Sequence, residues 1–226
     1  MSKVTFQISM SLDGFIAGPE QSVENPLGIG GEELHEWALP LQEWRSPHGL
    51  DGGVNNASSA VFEDAMSNIG AYVMGRNMFG GGPGPWGDDP WMGWWGDDPP
   101  FHVPVFVLTH HPRESIEMKG GTVFHFVTDG IDQTLGRARE AGKGTNVAIG
   151  GGAKTLQQFL KAGFVDEGWV HVVPVLLGDG VRLFDGVQGL GLKQIEVVAG
   201  EGVTHVKYRV PRQAMGQGSS PNTAGS

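Results

Sequence analysis

The sequence predicts an α/β domain: a central, mostly parallel sheet flanked by helices, with a C-terminal antiparallel hairpin. Three observations carry that expectation. Strand-like and helix-like segments alternate through residues 71–177, the order that builds parallel sheets. Residues 103–108 form a near-continuous apolar run, the mark of a strand covered on both faces. Residues 193–198 and 205–210 flank Gly200-Glu201-Gly202, a hairpin signature.

Taken in order, Val4, Phe6 and Ile8 alternate with Thr5, Gln7 and Ser9, which predicts a strand with one buried face. Leu12-Asp13-Gly14 turns the chain. A loosely patterned stretch follows to Asn56, with one helical segment in which Leu34, Trp37, Ala38 and Leu41 fall at i, i+3, i+4 and i+7. Ser58 or Ser59 caps a second helix that turns Val61, Phe62, Ala65 and Met66 to the core. Residues 71–74 read as a buried strand ending in Gly75-Arg76, and residues 122–127 as another strand. Ile131, Leu135 and Ala138 mark a helix. Residues 147–149 then form a strand that runs into Gly150-Gly151-Gly152 and a helix ending near Gly163. Residues 169–177 are expected as one long strand containing Pro174. The organisation is one domain over residues 1–212 with an insertion at 80–101. The tail at 213–226, rich in Gly, Ser and Pro, is expected to be disordered.

Composition narrows the function classes. Lys plus Arg number 15 against 25 Asp plus Glu, a net charge of −10, which argues against a nucleic-acid partner. Cysteine is absent, so neither a disulfide framework nor a thiolate metal site is expected. No apolar run approaches a membrane span and no secretory signal is visible, so a cytoplasmic protein without a membrane partner is expected. The eight histidines form no helical i, i+4 pair around an acid, so no metal is expected. Glycine, 38 of 226 residues, reads as many tight connections because strand-like and helix-like segments lie between the glycines.

The insertion holds the near-repeat Trp86-Gly87-Asp88-Asp89-Pro90 and Trp95-Gly96-Asp97-Asp98-Pro99, and four of the seven tryptophans. These either wall a pocket for a flat ligand, with Trp86, Trp91 and Trp95 as substrate-binding candidates, or plug the open end of the core.

Three segments carry the candidate chemistry. Met74-Gly75-Arg76-Asn77-Met78, Leu108-Thr109-His110-His111-Pro112-Arg113 and Gly150-Gly151-Gly152 each follow a predicted parallel strand, at the sheet edge where open α/β folds bind ligands. Two supply cationic side chains. The third offers bare backbone at a helix N-terminus, which favours an anion. The set suits a ligand with phosphates in two places.

With Ser11-Leu12-Asp13-Gly14-Phe15-Ile16-Ala17-Gly18 and Pro174-Val175-Leu176-Leu177-Gly178-Asp179-Gly180 added, the chain resembles the dihydrofolate reductase superfamily. Within it, the chain is similar to the branch of the reductase domain of bacterial riboflavin biosynthesis. The resemblance implies a dihydrofolate reductase-like fold, NADPH as cofactor and a homodimer with residues 169–177 near the contact. It implies that Ser9, Ile16 and Ala17 hold the nicotinamide amide. Gly75, Arg76, Asn77 and Met78 contact the pyrophosphate, with Arg76 also near the 2′-phosphate. Leu108, Thr109 and His110 surround the adenosine ribose. Gly150, Gly151, Gly152, Ala153, Lys154 and Thr155 bind the pyrophosphate.

Two departures bear on the substrate. Folate reductases place a carboxylate near the position of Ser59, yet residues 57–62 hold no acid; Glu63 follows one turn later. The riboflavin-pathway reductases carry a lysine where this chain has Phe15. Asp13 and Glu63 are the candidate catalytic acids, although Leu-Asp-Gly is also a natural turn. The expectation is hydride transfer from NADPH to a C=N or C=O of a planar small molecule, pterin- or pyrimidine-like. Two alternatives stay open: a nucleotide-binding protein without catalysis, and a flavin- or deazaflavin-dependent reductase on the same fold.

Overall fold

The computed structural model describes residues 2–88 and 91–211. The tail expected to be disordered therefore lies outside the described residues. Eleven strands are present among them: β1 (Val4–Ser11), β2 (Phe15–Ala17), β3 (Ile69–Gly75), β4 (Pro104–Leu108), β5 (Ile116–Glu117), β6 (Val123–Val127), β7 (Asn146–Ile149), β8 (Glu167–Val173), β9 (Val181–Arg182), β10 (Lys193–Gly200) and β11 (Val203–Arg209). Nine of them form one sheet in the order β10-β11-β8-β1-β7-β3-β4-β6-β5, and β2 pairs with β9. The pairs from β8 through β1, β7, β3 and β4 to β6 are parallel. The hairpin β10–β11 and the edge strand β5 are antiparallel. The expected fold class is the one observed.

Helices α1 (Gln42–Arg45), α2 (Ala57–Met66), α3 (Arg76–Phe79), α4 (Gly130–Ala141) and α5 (Ala153–Lys161) complete the layers. Successive residues of β3 face opposite ways. Ala71 and Val73 join Leu135, Leu156 and Phe159 beneath α4 and α5. Tyr72 and Met74 join Phe79 and Phe124 on the other face, where Trp86, Trp91 and Trp95 pack over them. Burial on both sides is why these strands read as apolar runs.

Three sequence expectations are corrected. The periodic residues Leu34, Trp37, Ala38 and Leu41 are all buried, but they do not form one helix. Gly31–His35 is a 3-10 turn entered through left-handed Gly30, and α1 begins only at Gln42. Pro40 explains the break: it lacks an N–H, biases Leu39 away from the helical region, and its carbonyl accepts from Val54 N–H instead. The α2 cap is Asn56, whose side chain accepts from Ser58 N–H while Ser59 Oγ accepts from Asn56 N–H. β8 stops at Val173 because Pro174 cannot donate to a ladder.

Candidate active site

The sheet order puts the three predicted segments side by side. Val73 pairs with Ile149 and Gly75 with Leu108, so the ends of β7, β3 and β4 adjoin. Gly75 N–H donates to the Gly151 carbonyl at 3.4 Å, and Gly150 N–H to Val73 at 2.7 Å. A Cβ on Gly75 would overlap Thr155 Oγ1, so the β3 end and the first turn of α5 sit in contact. Gly151 and Gly152 have φ of +126° and +84°, which a side chain would strain. No side chain caps α5 at Gly152; Thr155 N–H donates to the Gly152 carbonyl at 3.1 Å, and the N–H groups of Ala153 and Lys154 before it have no acceptor within the helix. Ala153 is buried, and Lys154 is exposed on the outer side of that turn.

Arg76 opens α3 half-buried. Its Nε and Nη2 donate to the carbonyls of Gly80 and Gly81 at 3.1 and 3.2 Å. Its guanidinium lies over the Trp86 ring, 3.1 Å from the centroid, and Arg113 approaches the same ring at 4.7 Å. Nη1 of Arg76 is buried with no partner. Burial, with the neighbouring Arg113 charge, holds the Arg76 pKa below its ordinary value. Two like charges around one indole, with an unused donor, have the chemistry to attract an anion. Asn77 and Met78 are exposed on α3, and a Cβ on Gly151 would meet Met78 Sδ at 3.0 Å. At the β4 end, Thr109 is buried and its Oγ1 accepts from His111 N–H at 3.1 Å, while His110 is exposed.

A cavity of about 360 Å³ opens beside this edge, and Ser9, Ile16, Met78 and Gly150–Gly152 lie along it. Ala17 is buried next to Ile16. The polar face of β1 therefore borders this cavity: Gln7 and Ser9 both line it, and Ser9 Oγ accepts from Trp37 Nε1–H at 3.0 Å. Alternating polar residues on a central strand were the sequence signal for such a wall.

The insertion divides its roles. Trp86 Nε1–H donates to the His111 carbonyl and Trp91 Nε1–H to the Phe79 carbonyl, at 3.0 and 2.9 Å. Both rings close the core; the Trp86 ring also takes both arginines, and the Trp91 carbonyl accepts from Arg113 Nη1. Trp95 packs on Phe101 and Phe124 and also lines the cavity.

The two candidate acids sit apart from the cavity wall. The Asp13 carboxylate accepts from Ser11 Oγ–H at 2.6 Å, Leu177 N–H at 3.2 Å and Gly178 N–H at 2.7 Å. The Ser11 bond, foremost, holds its pKa below the ordinary carboxylate value. It clamps the turn after β1 to the loop after β8. Glu63 is exposed on α2, and its neighbour Asp64 accepts from Trp169 Nε1–H and Lys207 Nζ at 2.8 and 2.6 Å.

Sequence reasoning missed seven polar residues along the cavity: Thr5, Gln7, His35, Glu43, His48, Tyr72 and His171. Burial pushes the Tyr72 hydroxyl up to about 12, so it keeps its proton, which it directs to Met66 Sδ at 3.8 Å. Among the described residues, no three His, Asp or Glu side chains gather as a metal site, and no helix is long and apolar enough to cross a membrane.

Comparison with known proteins fits this geometry. The model of the RibD C-terminal domain matches residues 2–206. The chain is 37% identical to the uncharacterized protein YwjB of Bacillus subtilis over 59 residues, 26% of this chain and 33% of that protein. It is 22% identical to the uncharacterized protein YyaP of the same organism over 216 residues, 91% of this chain and 94% of the other. A crystal structure of a putative riboflavin biosynthesis protein from Shewanella sp. PV-4 superimposes with a TM-score of 0.58 at 23% identity, covering 93% of this chain and 99% of that one. The α/β fold with a central, mostly parallel sheet expected from the sequence is the fold of this chain, and a pyrimidine reductase-like protein from Corynebacterium diphtheriae shares it with a TM-score of 0.52 at 12% identity, covering 94% of this chain and 93% of that one.

Proposed function

Because the chain belongs to the RibD C-terminal domain family, we propose that it is an NADPH-dependent reductase of a planar small molecule. One observation carries the reading: Arg76, stacked on Trp86 with its Nη1 buried and unpartnered, follows directly on the glycine contact between β3 and α5. Bare backbone donors next to an unused guanidinium donor suit a pyrophosphate and a further phosphate on one ligand.

Bound NADPH would supply a hydride from its nicotinamide C4 to a polarised C=N or C=O. The chain's residues bind and orient. The first turn of α5, with Gly75, Asn77 and Met78 opposite, holds the pyrophosphate. Arg76 and Arg113 neutralise the 2′-phosphate. Leu108, Thr109 and His110 flank the ribose. Backbone groups of Ser9, Ile16 and Ala17 fix the nicotinamide amide toward the cavity, whose apolar walls exclude water. Asp13 and Glu63 take no part in this reading. A homodimer in the cytoplasm belongs to the same proposal. β8 lies inside the sheet and is buried at every residue but Val172, so a contact near it would use the exposed Leu176 beyond it.

The test is a tryptophan-fluorescence titration with NADPH and NADH, with Arg76→Ala alongside. Saturable quenching that prefers NADPH and weakens ~10-fold or more in the variant supports the proposal, since a charge-assisted bond contributes ~1.5–3 kcal/mol. No saturation by either nucleotide overturns it.

A further inference from the structure

His171 lies on β8, only 1% exposed, and still borders the cavity. It pairs with Ser9 of β1, the strand whose polar face forms that wall. Its ring is held from behind. Ser58 Oγ lies 2.9 Å from His205 Nε2, and His205 Nδ1 lies 2.8 Å from His171 Nδ1. All three side chains are buried, and Trp37 packs on both rings. The contact at the cavity end is different. His171 Nε2 reaches Gln7 Oε1 only at 3.4 Å, beyond the ordinary N–H···O range. Two short bonds therefore end, at the cavity, on a nitrogen whose own bond is barely made.

The order of protons follows from Gln7. Its amide nitrogen donates to Met66 Sδ at 2.8 Å, so its oxygen faces His171, and an amide oxygen only accepts. His171 thus carries its proton on Nε2 and a lone pair on Nδ1. His205 carries its proton on Nδ1 and receives Ser58 Oγ–H at Nε2. Burial keeps both rings neutral, with pKa values pushed down to about 3 for His171 and about 4 for His205. The cavity wall therefore presents a neutral N–H. A buried donor with so long a bond is costly, and an acceptor atom entering the cavity would complete it.

We propose that His171 is a catalytic residue: its neutral Nε2–H donates to the oxygen or nitrogen of the double bond being reduced, and His205 and Ser58 are positioning residues that hold it in that tautomer. This rests on reading the cavity as the acceptor site of the reductase and deepens that reading. The hydride brings two electrons to the carbon of C=O or C=N, and the π pair moves onto the heteroatom. An N–H aimed at that atom stabilises the charge as it develops, a task that a neutral imidazole can perform. His171 keeps its proton. The heteroatom takes one from water, so one NADPH and one proton reduce one double bond.

The test joins a tautomer measurement to a pair of probes. Long-range proton–nitrogen NMR of the histidine-labelled protein at neutral pH should show His171 protonated at Nε2 and His205 at Nδ1. The signals missing from His171→Gln assign the two rings. Acetophenone is then compared with α-methylstyrene, the same shape with a methylene group in place of the carbonyl oxygen. Binding is followed by ligand-observed NMR on the wild type, His171→Phe, His171→Gln and Ser58→Ala, and NADPH is titrated into each. The affinity ratio favouring acetophenone should fall ~3–10-fold in His171→Phe, the size of one neutral hydrogen bond. It should largely return in His171→Gln, whose amide nitrogen can replace Nε2 as donor. Ser58→Ala should let the second tautomer appear at both rings and lower the ratio. The reverse tautomers in the wild type, no binding of acetophenone, or a ratio unchanged in His171→Phe overturns the proposal. So does a Ser58→Ala protein with tautomers and ratio unaltered, a result that stands even if His171→Phe does not fold. If tautomers and ratios come out as expected yet no NADPH binds, His171 stands as a carbonyl-binding donor and the reductase reading fails.

Discussion

His205 donates its Nδ1 proton to Nδ1 of His171 across 2.8 Å, deep between β8 and β11. The direction follows from the neighbours. Gln7 Nε2 donates to Met66 Sδ at 2.8 Å, which turns Gln7 Oε1 toward His171 Nε2 at 3.4 Å. An amide oxygen only accepts, so His171 is protonated on Nε2 and its Nδ1 is the lone pair. His205 Nε2 then accepts from Ser58 Oγ–H at 2.9 Å. One consistent run of donors ties α2, β11, β8 and β1 together, with Trp37 packed on both rings at 4.7 and 4.8 Å.

Burial pushes His171 down to about 3, helped by the adjoining His205, and His205 down to about 4. Below pH 6.5 the unfolded chain takes up protons that the folded chain refuses. Stability is therefore full above 6.5 and is lost progressively as pH falls toward the folded values. Urea midpoints measured from pH 7.5 to 4 should decline, and the double variant His171→Leu/His205→Leu should flatten that decline. A wild-type midpoint independent of pH between 6.5 and 4.5 would contradict the assignment.

Asp13 acts in the same direction through a different group. Its folded pKa lies below the ordinary carboxylate value, so the clamp on Leu177 and Gly178 is present above that value and is lost as pH falls through the folded one. Asp13→Asn should lower the melting temperature at pH 7 and speed amide exchange at residues 176–180. The difference from wild type should vanish in strong acid. Unchanged exchange in that loop would show that Asp13 does not hold it.

Gly75→Ala should destabilise the fold by ~1–3 kcal/mol, the usual range for overpacking, and weaken nucleotide binding by moving α5 off the β3 end. The clash is with the Thr155 hydroxyl. Adding Thr155→Ala should restore much of the lost stability, which urea denaturation of the single and double variants would reveal. Additive losses would mean that the glycine serves some other purpose.

Trp86→Leu should leave two guanidinium groups without their shared ring. Cation–π contacts contribute ~0.5–2 kcal/mol each, so a loss of ~1–3 kcal/mol is expected by urea denaturation, with weaker NADPH binding. A stable variant with unaltered NADPH affinity would reduce Trp86 to a filler of the core.

The strand ends at Gly75, Leu108 and Gly150 were legible in the sequence because each apolar run stops abruptly, at glycine in two cases and at Thr109-His110 in the third. Once the sheet is parallel, those ends share an edge. The walls of the cavity were not legible. His35 and Glu43 come from a loosely patterned stretch, positioned by Gly30, Pro40 and the bond to Val54, which are tertiary facts. The buried periodicity of Leu34, Trp37, Ala38 and Leu41 was real, but burial and helix are separable, and a proline separated them here. The plugging of the core by Trp86 and Trp91 was an open alternative that only packing could decide.

The place of β1 in the sheet sets a condition on how the chain is made. Val4 pairs with Val147 and Thr5 with Glu167, so the first strand has no neighbour in the sheet until β7, Asn146–Ile149, has left the ribosome. Until then Phe6 and Ile8 stay exposed on an unpaired strand, the kind of surface that aggregates or recruits chaperones. N-terminal fragments ending before β7 should accordingly be insoluble, and folding of this domain during synthesis is a late and concerted event.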